Sequence, residues 1–204
     1  MLNADLLALG SATLGESGAR RMHPRVKPAW GGARLAGPAY PVSCSPGDNL
    51  GIHVAVTRAL VGSVIVADMG GARDFGYWGE VLTTGAQARG LIGLVIDGGV
   101  RDGDALAAHA FPVFSTRIAL TGATKDQPGS VGTPVMVGDV AVEPGDWVVG
   151  DVDGVVVLPG ATLDDVLAAG RARAEKEADL FTALRGGATT VELFGLDPGL
   201  IDGA

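Results

Sequence analysis

The sequence predicts an α/β fold with a parallel βαβ part and an antiparallel, barrel-like β part. Three observations carry that prediction. Between residues 50 and 118, apolar runs of strand length alternate with helical patterns, as expected for parallel strands joined by crossover helices. After residue 124, short β runs sit between turn signals (Gly-Asp, Glu-Pro-Gly-Asp, Asp-Val-Asp-Gly), the pattern of an antiparallel meander. The composition is 47% hydrophobic with only 5% aromatic residues and 33 glycines, and its Val, Ala, Leu and Ile suit a β-rich core.

The elements follow in order. Leu6, Leu9 and Leu14 have helical spacing interrupted by glycines, which predicts one or two short helices at the N-terminus. Residues 23 to 47 are rich in Pro and Gly and read as loop and edge strand. In SPGDNLGIHVAVTRAL, Pro46 and Gly47 make a turn and Asp48 or Asn49 can cap a helix. Ile52, Val56, Ala59 and Leu60 then fall on one helical face. GSVIVADMGG is a buried strand closed by glycines. A helix from about Trp78 to Arg89 leads into the strand LIGLVID, followed by a short helix, DGDALAAH, and the strand FPVFSTRI. Thr162 and Asp165 form a capping-box pattern opening a helix from Leu163 that Gly186 ends. There is no repeat and no linker, so one domain over residues 1–204 is expected.

Composition also excludes function classes. A net charge of −8 argues against a nucleic-acid surface. The one basic cluster, RRMHPRVK at 20 to 27, reads as a solvated loop. The single Cys44 excludes an internal disulfide and reads as a small packed residue. No apolar run approaches membrane-spanning length, and the N-terminal stretch carries Asp5 without a basic lead. A cytoplasmic location and no membrane partner are expected. His23, His53 and His109 are scattered without metal-ligand spacing and read as structural, while Asp151 and Asp153 suit a tight hairpin.

The chemistry concentrates in two short motifs: Gly79-Glu80, then twenty residues, then Arg101-Asp102. In a parallel sheet, ligands bind beyond the carboxyl ends of the strands, and both motifs fall there. Arg101 can grip a carboxylate through two parallel hydrogen bonds. Asp102 can bind a hard divalent cation such as Mg²⁺, with Glu80 holding the metal's waters from the other side. The backbone N–H groups of Val81 and Leu82, near a helix start, form an anion site. Together these groups suit an α-keto acid. On spacing alone, Arg101 and Glu80 equally suit an ion pair that buttresses two turns.

The paired motif resembles the signature of the RraA-like family, and PGDNLGIHVAV, LVIDGGVRDGDAL and GDVDGVVVLP are similar to family segments in the same order. The resemblance covers about residues 5 to 185. It implies a compact α/β domain of the swivelling β/β/α type, assembling as a homotrimer or hexamer, with the helix at about 163–185 packing on a neighbouring subunit. It also implies a class II pyruvate aldolase acting on 4-hydroxy-4-methyl-2-oxoglutarate or 4-carboxy-4-hydroxy-2-oxoadipate with Mg²⁺ or Mn²⁺, and oxaloacetate decarboxylation through the same enolate. By that analogy Asp102 is the metal ligand, Arg101 contacts substrate, and Glu80 orients water on the metal. Val81 and Leu82 supply the carboxylate-binding amides, and a glutamate of a neighbouring C-terminal helix, Glu177 or Glu175, joins the site. The family signature often has Asp at the Glu80 position. Other family members bind and inhibit ribonuclease E, which is the alternative from a different functional class.

Overall fold

The computed structural model describes residues 2–202. The helices are α1 (Leu2–Glu16), α2 (Leu50–Arg58), α3 (Glu80–Ala88), α4 (Gly103–Ala108), α5 (Leu163–Arg185), α6 (Thr190–Phe194) and α7 (Gly199–Asp202). α1 is two helical pieces joined at Gly10, whose φ of 76° breaks the helix. Among the described residues no helix is long and apolar enough to cross a membrane.

A nine-stranded mixed sheet forms the centre, and its organiser is the strand Leu35–Cys44. One edge of that strand pairs in parallel with Val64–Asp68, which continues in parallel to Gly93–Asp97 and then Val113–Ser115. Its other edge pairs antiparallel with Trp147–Gly150, which in turn pairs with Val155–Leu158. The parallel and antiparallel parts therefore meet at one strand. This corrects the expectation of loop and edge strand for residues 23 to 47. Pro41 is tolerated inside a sheet because its missing N–H falls in a gap, after the Trp147–Gly150 strand leaves at Pro38 and before Gly129–Val131 joins at Val42.

Helices cover this sheet with apolar faces. α2 and α3 bury Ile52, Val56, Leu82 and Ala86 against Ile65 and Leu94. α1 and the first turns of α5 bury Leu6, Leu14, Val166 and Leu167 against Val149 and Leu158. Two local expectations fail. Leu60 is 77% exposed because α2 ends at Arg58, one residue before the backbone turns extended. Thr162 makes no side-chain cap on α5, because a 3₁₀ turn over Gly160–Thr162 leads into the helix instead.

A small four-stranded parallel sheet positions the candidate site. It orders Thr121–Gly122, Phe75–Trp78, Gly99–Val100 and Arg117–Ile118. Gly76 pairs with Gly99 and Trp78 with Val100, so the residues that follow each strand emerge side by side. A β-carbon on Gly76 would lie 2.4 Å from the Ala119 carbonyl, and one on Gly99 would lie 2.6 Å from that of Phe75. Only glycine permits this approach.

Candidate active site

The two motifs converge because of that register. The Arg101 amide donates to the Trp78 carbonyl at 2.8 Å, and Asp102 then turns with a left-handed φ of 59° into α4. Its carboxylate is thereby brought to the first residue of α3, where the Glu80 amide donates to Asp102 Oδ2 at 3.0 Å. Arg101 Nε lies 3.8 Å from the same oxygen. Gly79 supplies the space, since a β-carbon there would lie 2.3 Å from Asp102 Oδ2.

Arg101, Asp102, Val81 and Leu82 line one cleft of about 290 Å³. That volume suits an acid of a few carbons. The Val81 and Leu82 amides belong to the first turn of α3, where N–H groups have no intrahelical acceptor. The cleft thus joins free amides, a guanidinium and a carboxylate.

Another part of the lining comes from Asn49, His53, Tyr77 and Lys125. Asn49 opens α2 without capping it; its Nδ2 donates instead to the Tyr77 carbonyl at 2.7 Å, and the helix start is served by Asp48, whose Oδ1 accepts from the Leu50 amide. Asn49 Oδ1 and His53 Nε2 are buried without any hydrogen-bond partner. Burial holds the His53 pKa below its ordinary value, Lys125 adds to that effect, and Asp48 opposes it. Asp48 is buried and also accepts from Thr124 Oγ1 at 2.7 Å and from the amides of Asp126 and Gln127 at 2.7 and 3.1 Å, which fixes the loop carrying Lys125.

Two sequence-predicted groups stand elsewhere. The Glu80 main chain holds Asp102, but its carboxylate turns to His109, with Oε1 3.2 Å from Nε2. Glu177 lies on α5, 2.9 Å from Arg173 Nε, and is not in the lining of its own chain's cleft; neither is the exposed Glu175. Of the histidines read as structural, His53 faces the cleft and His109 faces Glu80. Sequence reasoning missed Asn49 and Lys125. Asn49 and His53 stand one helical turn apart, a polar pair interrupting an apolar pattern, and that signal was available. Lys125 left none.

The remaining polar clusters are structural. Asp97 accepts from Arg25 (2.8 Å), Arg73 (2.6 Å) and the Gly138 amide, and despite its burial these partners hold its carboxyl well below the usual range. Arg20 pairs with Asp146, and Arg21 donates to the Gly15 carbonyl, so the 20 to 27 cluster is tied down rather than open to phosphate. Asp151 ties Ser11 to the turn containing Asp153.

The donor set can be tested against a metal. Among the described residues no group of three or more His, Cys, Asp or Glu converges, so an all-protein cage is not formed. One partly exposed carboxylate beside an open cleft fits Mg²⁺ or Mn²⁺, hard ions that keep several waters and take substrate oxygens.

The family model described as "RraA-like: Aldolase/RraA" matches residues 7–157. The chain belongs to the RraA-like family. Among relatives, a Halalkalibacterium halodurans protein, provisionally named a 4-hydroxy-4-methyl-2-oxoglutarate aldolase, is 35% identical over 142 residues, covering 70% of this chain and 68% of that protein. An uncharacterized protein from Pseudomonas syringae pv. tomato has a similar structure, with a TM-score of 0.81 at 28% identity over 92% of this chain and 94% of that one. The RNA-processing inhibitor RraA from Thermus thermophilus matches with a TM-score of 0.62 at 28% identity, over 70% of this chain and 85% of that one. The mixed α/β fold is that of RraA-like structures.

Proposed function

We propose that this RraA-like chain is a divalent-metal-dependent aldolase that cleaves 4-hydroxy-4-methyl-2-oxoglutarate-type acids to pyruvate and decarboxylates oxaloacetate through the same enolate. The observation that carries this is the convergence of Arg101, Asp102 and the first-turn amides of α3 on one cleft. The name of the Halalkalibacterium relative supports the same reaction class.

Each group then has a role. The Val81 and Leu82 amides bind the carboxylate next to the ketone. Asp102 holds Mg²⁺ or Mn²⁺, which supplies a Lewis acid when bound. Arg101 stabilises the negative charge that grows on the keto oxygen as the carbon–carbon bond breaks. The hydroxyl proton passes to a water that Glu80 would hold, with Glu177 of a neighbouring subunit beside it. Protonation of the enolate carbon yields pyruvate. Glu177 would reach the cleft only from a neighbouring subunit, in a homotrimer or hexamer that would bury apolar side chains now open on and after α5, among them Phe181, Phe194 and Leu196, each at least 50% exposed.

The test is pyruvate release from oxaloacetate and 4-hydroxy-4-methyl-2-oxoglutarate with Mg²⁺ or Mn²⁺, with EDTA, and in Asp102→Ala and Arg101→Ala. Turnover that needs metal and is lost in both variants is expected. No turnover of either acid by the wild type with metal would overturn the proposal. The Thermus RraA likeness favours a second reading, regulation of ribonuclease E by binding, and under it both variants would retain full inhibition of that enzyme.

A further inference from the structure

We infer that His109 is a positioning residue for Glu80, fixing one oxygen of its carboxylate and leaving the other open to water, and that Gln87 sets the tautomer with which His109 does so. The inference rests on the keto-acid reading above and deepens it by naming the side chains that control Glu80.

Three observations carry it. First, His109 is clamped by one face of one helix. Glu80 and Gln87 stand two turns apart on α3. Gln87 Nε2 donates to the His109 carbonyl at 2.9 Å, and Gln87 Oε1 lies 3.0 Å from Nδ1 of the ring. Glu80 Oε1 lies 3.2 Å from Nε2. Both ring nitrogens and the main chain of His109 are therefore engaged by the helix that supplies Val81 and Leu82 to the cleft.

Second, these contacts assign the ring's protons. The Gln87 amide nitrogen is spent on a carbonyl, so the atom that faces Nδ1 is an acceptor and Nδ1 carries a proton. Nε2 can then bind an ionised Glu80 only by donating a second proton, as an imidazolium. The contact is a charge-assisted bond that fixes Oε1. Among the described residues no donor meets Oε2 of Glu80, so one oxygen is held and the other stays free.

Third, α4 grips Glu80 at both ends. Asp102, just before this helix, accepts from the Glu80 amide, and His109, just after it, faces the Glu80 carboxylate. The backbone is bent to this purpose at both places. Asp102 has a φ of 59°, and Ala110, next to His109, has a φ of 49°. Non-glycine residues rarely take that left-handed conformation, and those that do gather at functional sites.

Two experiments test the inference. The first needs neither metal nor substrate: two-bond ¹H–¹⁵N NMR of the full chain in alkaline solution, where each ring keeps one proton. His109 should carry it on Nδ1, and Gln87→Leu should move it to Nε2. A proton on Nε2 in the wild type would overturn the inference. The second is the kinetics of pyruvate release with Mg²⁺. His109→Phe should lower kcat about ten-fold and leave KM within about two-fold. In a Glu80→Ala background the same change should cost nothing more, because His109 acts through that carboxylate. His109→Gln keeps a donor near the Nε2 position and should restore most of the loss. Equal losses in both backgrounds, no rescue by glutamine, or no loss at all would overturn the positioning role and leave the keto-acid reading standing. Wild type that releases pyruvate from neither acid would overturn both.

Discussion

The amide of Glu80 donates to Asp102 Oδ2 at 3.0 Å, across a gap kept open by the missing side chain of Gly79. The Gly-Glu and Arg-Asp motifs are therefore one structural unit. Gly79→Ala would place a β-carbon 2.3 Å from that oxygen, so the carboxylate must move. Displacement on this scale should lower kcat/KM about 100-fold. It should also weaken Mg²⁺ binding, which titration calorimetry would detect. Unchanged kinetics in Gly79→Ala would show that the Asp102 position is not critical.

Asp48 holds the Lys125 loop, and its titration should appear in stability. Burial alone would push its carboxyl up, but the Leu50 amide, the Thr124 hydroxyl and the Asp126 and Gln127 amides bring it down to about 2. The folded-state value is lower than the ordinary value of 3.8, so the carboxylate stabilises the fold fully above about pH 4 and that contribution is lost as pH falls toward 2. Asp48→Ala should cost about 3 kcal/mol in urea unfolding at neutral pH. Its stability should fall less steeply than that of the wild type between pH 4 and pH 2.

The same loop marks where sequence reading stopped. The Gly79-Glu80 and Arg101-Asp102 pairs were legible because each follows a strand whose apolar run is plain, and parallel pairing then brings strand ends together. The strand Leu35–Cys44 was obscured by Pro38 and Pro41, which usually signal an edge; a change of partner along the strand accommodates Pro41 here. Asp48 and Asn49 both looked like caps of the helix that follows; Asp48 takes the Leu50 amide and leaves Asn49 free to reach Tyr77. Lys125 enters the cleft through bonds from Asp48 to residues more than 70 positions away. No local pattern reports a contact of that range.

Glu80 separates into two parts that one substitution can distinguish. Its amide serves Asp102, and its carboxylate faces His109 at 3.2 Å. Glu80→Ala keeps the amide, so the melting temperature and Mg²⁺ affinity should stay close to wild type. If the carboxylate takes part in proton transfer, kcat should fall about 100-fold or more while KM changes little. A kcat equal to wild type would assign Glu80 a main-chain role only.

Cys44 offers a check on the packing behind the cleft. It is 4% exposed, and a β-carbon on Gly51 of α2 would come within 2.8 Å of its sulfur. Burial pushes the thiol up to about 11, against the Ile52 and Gly51 amides and with help from Asp48 and Asp68. At pH 8 only about one thiol in a thousand would then be ionised, and the thiolate is the reactive form. Native protein should therefore react with a disulfide reagent at least about 100-fold more slowly than urea-unfolded protein, both because the thiolate is scarce and because α2 covers the sulfur. Fast labelling of the native chain would mean that α2 opens readily from the sheet, and the Asn49–Tyr77 bond that orients one side of the cleft would open with it.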